Sequence, residues 1–357
     1  MVPKMAAILS NNKVAIFTDL HLGVHQNSDF WLNVALKWAD WFVSELENNN
    51  IDTVIFCGDW MHYRDAVEVK TLHYHSLILQ KLSKFKLLMI PGNHCCYYKN
   101  TSDVHSLSIM KGNSNIQIFD NITSVYFNDK KFTFCPWGCN IKDIPQSDVV
   151  FGHFELQNFR MNGHKICEHG DDPDYLTTKS NLVFSGHFHQ RDEKTFESVS
   201  KIIYVGNPFQ TDFGDAYQTK GYYLLDIDTL KFEFKENTLT PVHLKVSLSE
   251  IIINKDPIAY FSNNFKGNII KLIIDKNIST DHLDMLVSKI TTFKPADLKI
   301  DYDVNYNKIK AHEELVDSDI KGAEIENIVT EFVSMLDINN KQEIIKYTIS
   351  LYNKSIA

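Results

Sequence analysis

Apolar residues come in short unbroken runs through the first two hundred positions. These are "VAIFTD" (14–19), "TVIFCGD" (53–59), "KLLMIPGNH" (86–94), "FTFCPWG" (132–138), "VVFGH" (149–153), "LVFSGHFH" (182–189) and "IIYVGNP" (202–208). Each is too short for a buried helix and rich in Val, Ile and Phe, so each predicts a strand. The runs do not alternate with polar residues, which suits sheets covered on both faces. Between the first three lie helical periods. In "SDFWLNVALKWADWFVSELENN" the residues Trp31, Val34, Ala35, Trp38, Trp41, Phe42 and Leu46 recur at three- and four-residue steps behind Ser28, a suitable N-cap. "AVEVKTLHYHSLILQKLSKF" repeats the idea less cleanly. The opening is therefore β-α-β-α-β, an α/β layered domain.

After residue 240 the texture changes. "HLKVSL" and "GNIIKLIID" predict strands, "TDHLDMLVSKITTF" a helix and "DLKIDYDV" a strand, together a small α+β module. Further on, Ile325, Ile328, Val329, Phe332 and Leu336 fall on one helical stripe, and Ile344, Ile345, Thr348 and Leu351 on another. "DINN" joins them into a helical hairpin. Such a hairpin either packs on its own domain or docks a partner. The division predicted is 1–240, 241–305 and 306–357.

Composition bounds the chemistry. With 357 residues and 44% hydrophobic content the chain can bury a sizeable core and suggests two domains with an appendage. A formal net charge of -9 excludes a protein that coats nucleic acid along its whole surface, so any DNA contact must be local. No apolar run reaches the roughly 18–20 residues that span a membrane. "MVPKMAAILSNNK" is too short and too weakly apolar for a signal peptide. The six cysteines form no C-x-x-C pair, so neither a zinc ribbon nor a disulfide framework is signalled, and a reduced, cytoplasmic chain is expected.

The polar residues that end the runs carry the chemistry. In order they are Asp19-x-His21, Gly58-Asp59, Gly92-Asn93-His94, Gly152-His153 and Gly186-His187-Phe188-His189. Open α/β sheets bind ligands at the carboxyl ends of their strands. Asp, Asn and neutral His form a mixed oxygen and nitrogen set that suits six-coordinate Mn²⁺ or Fe better than closed tetrahedral zinc. Two divalent ions about 3.5–4 Å apart can hold both ends of a phosphate displacement, with one carboxylate between them. A lone D-x-H or GNH would mean little; five pieces in register along successive strand ends mean a metal site.

The ordered set resembles the calcineurin-like metallophosphoesterase superfamily, whose signature runs D-x-H, G-D, G-N-H-D/E, G-H, G-H-x-H. The resemblance covers roughly residues 13–210. Within it, "DLHLGVH", "GDWMHYRDA", "GNHCCYYKN", "GHFELQNF", "DPDYL", "SGHFH" and "YVGNPFQ" look most like the SbcD-type, or meiotic recombination eleven, nuclease subunits, and among those the recombination nuclease subunits of T-even-like bacteriophages. The resemblance implies a layered β-sandwich flanked by helices, a small capping domain and a C-terminal helical hairpin. Carried across by motif, Asp19, His21, Asp59 and His189 hold a first ion. Asp59, Asn93, His153 and His187 hold a second, with Asp59 as the bridge. His94 contacts the scissile phosphate or helps the 3′-oxygen leave, and His62 aligns with a histidine that handles substrate.

The implied activity is that of a Mn²⁺-dependent DNA nuclease with two Mn²⁺ ions (Mg²⁺ being the other choice), a 3′→5′ exonuclease on duplexes and an endonuclease on single strands. The implied partners are DNA, a second copy of the chain and an ABC-type coiled-coil ATPase of the SbcC kind, with the host cytoplasm as location. The hairpin then docks the ATPase through Ile325, Ile328, Phe332, Ile345 and Leu351. One position departs from the family: Cys95 stands where an acid usually steadies the GNH histidine, which implies lowered activity. A general phosphoesterase, or a DNA-end-binding scaffold of little activity, are the alternatives. Other residues have plainer readings. Trp31, Trp38 and Trp41 are core or interface, Cys57 and Cys135 are buried in strands, His73 and His75 are on the surface, and "HGDDPD" (169–174) is a solvated turn rather than a calcium loop.

Overall fold

The computed structural model describes residues 11–161, 163, 165–197, 199–303, 330, 333 and 340–355. All seven predicted strands form. They are β1 (Lys13–Phe17), β2 (Thr53–Phe56), β3 (Lys86–Met89), β6 (Lys130–Cys135), β7 (Val149–His153), β8 (Leu182–Gly186) and β10 (Lys201–Tyr204). Five more join them: β4 (Ile116–Ile118), β5 (Thr123–Phe127), β9 (Asp192–Thr195), β11 (Gly221–Asp226) and β12 (Phe232–Glu236). They build two six-stranded sheets, ordered β12-β11-β1-β2-β3-β4 and β5-β6-β7-β8-β10-β9. Strands β1 to β4 run parallel, as do β6, β7, β8 and β10, while β5, β9, β11 and β12 pair antiparallel.

Three apolar layers explain why the runs do not alternate. Val14, Ile16, Ile55 and Leu88 of the first sheet meet Phe132, Phe134, Phe151 and Phe184 of the second in the space between the sheets. Their neighbours Ala15, Phe17, Val54, Phe56, Leu87 and Met89 point the other way, onto the helices Asp29–Asn48 and Val69–Leu82. On the far side of the second sheet Val150, Val183, Ile202 and Tyr204 pack beneath a covering that includes Leu156, Phe159 and Leu176. Side chains on both faces of each central strand leave water, so nearly every position is apolar, with Thr53, Thr133 and Ser185 as buried exceptions. Trp38 is fully buried against Phe42, rings 4.9 Å apart, and Trp31 is buried too, as expected of core residues. Ser28 stands at the predicted N-cap but its side chain makes no capping bond.

The small module is a three-stranded sheet of β13 (His243–Ser247), β14 (Ile269–Ile274) and β15 (Asp297–Tyr302) with the predicted helix at Thr280–Thr291. Two short helices, Leu248–Ile253 and Pro257–Asn264, are additional. The first opens on a capping box in which the Ser247 hydroxyl accepts from the Glu250 N–H and the Glu250 carboxylate accepts from the Ser247 N–H. Trp31 stacks on His243 with ring centroids 5.8 Å apart, and His243 N–H donates to Gln210 Oε1 at 2.6 Å.

The chain divides into two compact units. One comprises Met1–Ile273 with Asn277–Asp301, the other Ile274–Lys276 with Tyr302–Ala357. Of the predicted hairpin, the second helix is Lys341–Ser355, and Ile345 on it is buried. Ile325, Ile328 and Phe332 of the first helix, and the side chain of Leu351, lie outside the described residues. Among the described residues, no helix is long and apolar enough to cross a membrane.

Candidate metal centre

Every strand-end residue singled out in the sequence converges at one edge of the two sheets. Asp19 and His21 leave β1, Asp59 leaves β2, and Asn93 and His94 leave β3. His153 ends β7, and His187 and His189 leave β8. The strands stop there because the chain turns sharply into left-handed backbone. Asp19 (φ 53), His21 (φ 45), Asp59 (φ 63) and His187 (φ 91) all hold positive φ, a conformation costly for residues with a Cβ and concentrated where function fixes the backbone. Hydrogen bonds between neighbouring strand ends hold these turns. Asp19 N–H donates to Gly58 O at 2.9 Å, His21 N–H to Asp59 O at 3.0 Å, and His187 N–H to Asp19 Oδ2 at 3.2 Å.

The side chains close on a small volume. Asp59 Oδ2 lies 3.7 Å from His21 Nε2 and 3.3 Å from His153 Nε2, so one oxygen faces both halves of the cluster. The other oxygen, Oδ1, accepts the His94 backbone N–H at 2.7 Å, which fixes the carboxylate's rotation. Asp19 Oδ1 is 3.7 Å from His21 Nε2, and His189 Nε2 is 2.9 Å from the same nitrogen. Asn93 Oδ1 is 2.9 Å from His153 Nε2 and 2.8 Å from His187 Nδ1. His62 and His94 stack with ring centroids 5.3 Å apart, and both flank His21. Three groupings bring ligand atoms within 4.8 Å of one another: Asp19, His21 and His189; Asp19, Asp59 and His153; and His21, His62 and His94.

Electrostatics mark this as a cation site. Burial pushes Asp19 up to about 7. Burial favours neutral Asp59 as well, yet the neighbouring His153 holds it well below the usual carboxylate range. Burial disfavours charged His153, but Asp59 beside it lifts it to about 9. With protein groups alone, therefore, a proton on His153 is the positive charge that balances Asp59. Burial favours the neutral form of four other imidazoles, with His21 and His189 lowered, His62 at about 4 and His187 at about 3. Neutral imidazoles and ionised carboxylates are the forms that bind metals. The supporting contacts are those of ligand histidines too: His153 Nδ1 donates to Cys57 O at 2.7 Å, which turns Nε2 toward Asp59 and Asn93.

Glycine is required by the crowding. A Cβ on Gly58 (φ +106) would lie 2.3 Å from His153 Nδ1, and one on Gly92 would lie 2.3 Å from Asp59 Oδ1. Position 95 corrects an expectation. Cys95 is buried in the core, where its Sγ accepts the Trp60 backbone N–H at 3.3 Å and burial lifts the thiol to about 11. It does not steady His94. The His94 Nδ1 hydrogen instead donates to the His62 carbonyl at 2.7 Å. His75 is a second correction: it is buried, not on the surface, because Trp60 Nε1 needs its Nδ1 as an acceptor at 2.9 Å.

Sequence reasoning missed three contributors. Trp137 lies with its ring 5.0 Å from that of His187 and 5.9 Å from that of His153. Its signal was present, since "PWG" ends an apolar run as the ligands do. Buried Lys220 donates to His189 O at 2.7 Å and pairs with Asp215 at 2.6 Å. The carbonyls of Cys57 and His62 orient two rings, and no residue type announces a carbonyl.

This fold, closed by this donor set, defines a metal-dependent phosphoester hydrolase. The chain belongs to the calcineurin-like phosphoesterase family, whose model matches residues 12–191. It is 25% identical over 358 residues to Exonuclease subunit 1 of Enterobacteria phage T4, an alignment that covers 95% of this chain and 98% of that one. Among solved structures it is similar to a dimetal phosphatase from Danio rerio (TM-score 0.40, 10% identity, 60% of this chain and 92% of that chain). It is similar also to the Pseudomonas putida nuclease MPE (TM-score 0.31, 16% identity, 59% and 84%).

Proposed function

We propose that this chain is the nuclease subunit of a DNA recombination or double-strand-break repair complex. The observation that carries the reading is the placement of Asp59 Oδ2 between His21 and His153, in a chain that aligns end to end with a phage exonuclease subunit. Asp19, His21, Asp59 and His189 would hold one ion, and Asp59, Asn93, His153 and His187 the other, as Mn²⁺ with Mg²⁺ the other choice. Such ions supply a nucleophile from water at neutral pH and offset the charge of the phosphodiester. His94 has its Nδ1 hydrogen committed to the His62 carbonyl, so its Nε2 is the atom that touches the scissile phosphate or hands a proton to the departing 3′-oxygen. The His62 ring, stacked on His94, lines the path of the substrate.

The division of the chain follows the same reading, with nuclease domain 1–240, capping domain 241–305, and linker and hairpin 306–357. The last docks a coiled-coil ATPase through Ile325, Ile328, Phe332, Ile345 and Leu351. Eleven acidic against six basic residues from Ile300 onward suit a protein partner better than DNA. The partner and a second copy of this chain supply the positive field that a chain of net charge -9 lacks.

The deciding experiment uses end-labelled duplex and single-stranded DNA with Mn²⁺ or Mg²⁺, with and without the ATPase. The expected result is Mn²⁺-dependent shortening from 3′ ends, abolished together with ion binding by Asp59→Ala. Turnover of bis(p-nitrophenyl) phosphate with DNA untouched in every condition sinks the nuclease reading, and cleavage retained in Asp59→Ala sinks the bridge. Removal of residues from Gly322 onward is expected to leave a nuclease that no longer co-purifies with the ATPase. Continued co-purification refutes the docking role.

A further inference from the structure

Beside the metal centre lies a cleft of about 360 Å³, lined in part by Lys99, Trp137, His153, Glu155, His169 and Asp171. Trp137 is held rigidly in it. Its Nε1 donates to Lys99 O at 2.7 Å and its backbone N–H to Pro91 O at 2.9 Å. The lining from Glu155, Gly170 and Asp171 is equally fixed. Asp171 N–H donates to Glu155 O at 2.7 Å, Gln157 N–H donates to Asp171 O at 2.9 Å, and Gly170 lies so close that an added Cβ would sit 2.2 Å from Glu155 O. The turn read from sequence as merely solvated thus furnishes the rim of this cleft. On the segment that carries Lys99, Tyr97 and Tyr98 are each 53% exposed and meet edge to face with ring centroids 5.0 Å apart.

We infer that this cleft receives the base of the nucleotide attached to the scissile phosphate, stacked on Trp137; the inference rests on the nuclease reading above. A phosphodiester held at His153 and His187 brings a nucleoside within a few ångströms, and Trp137 touches both of those rings. An aromatic face accepts any base, as a nuclease indifferent to sequence requires. Glu155 and Asp171 can accept hydrogen bonds from amino and imide N–H groups of a base, and the cluster at His153 and His187 takes the phosphate, which sets the nucleotide's direction, base toward the cleft. A paired base cannot enter such a cleft without leaving its stack. The site therefore takes single strands and frayed ends ahead of blunt, fully paired ones.

The test compares two esters with the metal-loaded protein: the p-nitrophenyl ester of thymidine 5′-monophosphate and the base-free methyl p-nitrophenyl phosphate. The quantity read is the ratio of their kcat/KM values. Trp137→Ala is expected to lower that ratio about 10-fold, the order expected for one lost base–aromatic stack, while Trp137→Phe keeps most of it. Thymidine 5′-monophosphate is expected to quench tryptophan fluorescence saturably in the wild type but not in Trp137→Phe, which lacks the reporter. The inference is overturned if Trp137→Ala slows both esters in parallel, since the indole would then only support His187, or if quenching persists in Trp137→Phe. A wild type that prefers the thymidine ester yet leaves DNA intact supports the base site and sinks the nuclease reading. One that cuts DNA with no such preference sinks the base site alone.

Discussion

Gly92→Ala tests the metal centre without removing a single donor. The added Cβ would stand 2.3 Å from Asp59 Oδ1, 2.6 Å from Asp59 N and 2.7 Å from His153 Cε1. Ordinary contact begins near 3.4 Å, so the carboxylate oxygen is too close by 3.4 − 2.3, or 1.1 Å. Neither neighbour can yield freely: Asp59 Oδ1 is bound to His94 N–H, and His153 is pinned by Cys57 O. Metal–ligand distances tolerate about ±0.2 Å, so a displacement of that size takes Asp59 out of register with both halves of the cluster. The expected result is a fall in Mn²⁺ affinity of about 10- to 100-fold, the range seen when supporting contacts around ligands are lost. Hydrolysis of bis(p-nitrophenyl) phosphate should fall by at least about 100-fold, as misplacement near 1 Å does. Overpacking should also lower stability by about 1–3 kcal/mol, so a cooperative melt and an unchanged far-UV spectrum must accompany the assay. Calorimetric titration that finds Mn²⁺ affinity and turnover within threefold of wild type refutes the crowding derived for Gly92.

Three further outcomes are expected. Cys95→Ala should keep kcat within about threefold and lower stability by about 1–2 kcal/mol, the ordinary cost of a buried truncation; a 100-fold loss of kcat would instead tie Cys95 to His94. His75, lowered to about 4 by burial, makes the fold prefer its neutral form. Its folded pKa lies below its unfolded value, so its contribution is complete above about pH 6.5 and is lost as pH falls toward 4, by about 3 kcal/mol in all. Urea melts of wild type and His75→Gln should converge across that window, and parallel curves would count against it. Lys220→Met strands the Asp215 charge in the interior and should cost about 3–5 kcal/mol while weakening metal binding through His189; an unchanged melting temperature would contradict the buried pair.

The fold was legible where burial left a mark on residue type. Strands covered on both faces, such as β1 from Val14 onward and β7, read as unbroken apolar runs because those positions do not meet water. Edges gave no such mark. The β9 strand, Asp192–Thr195, is wholly polar and pairs along one side with β10, and β4 is only three residues long. The candidate metal ligands were legible because their types are rare in that register and repeat at successive strand ends. Contacts made through backbone were not. Cys95 was read as a defect because a residue next to His94 in sequence looked like its partner, while the true partner, the His62 carbonyl, comes from another loop. His75 was misread for a similar reason: only the buried Trp60 indole, distant in sequence, shows why an imidazole belongs beneath the surface.

The convergence of donors from both sheets has a consequence for the order of events in synthesis. His189 meets His21 across 168 residues, and His187 meets Asp19 across the same interval. No early fragment of the chain holds the whole candidate cluster, because His187 and His189 follow β8. Contacts that distant form late and slowly. A half-made chain emerging from the ribosome thereby lacks part of the donor cluster, which is complete only once the tertiary structure is.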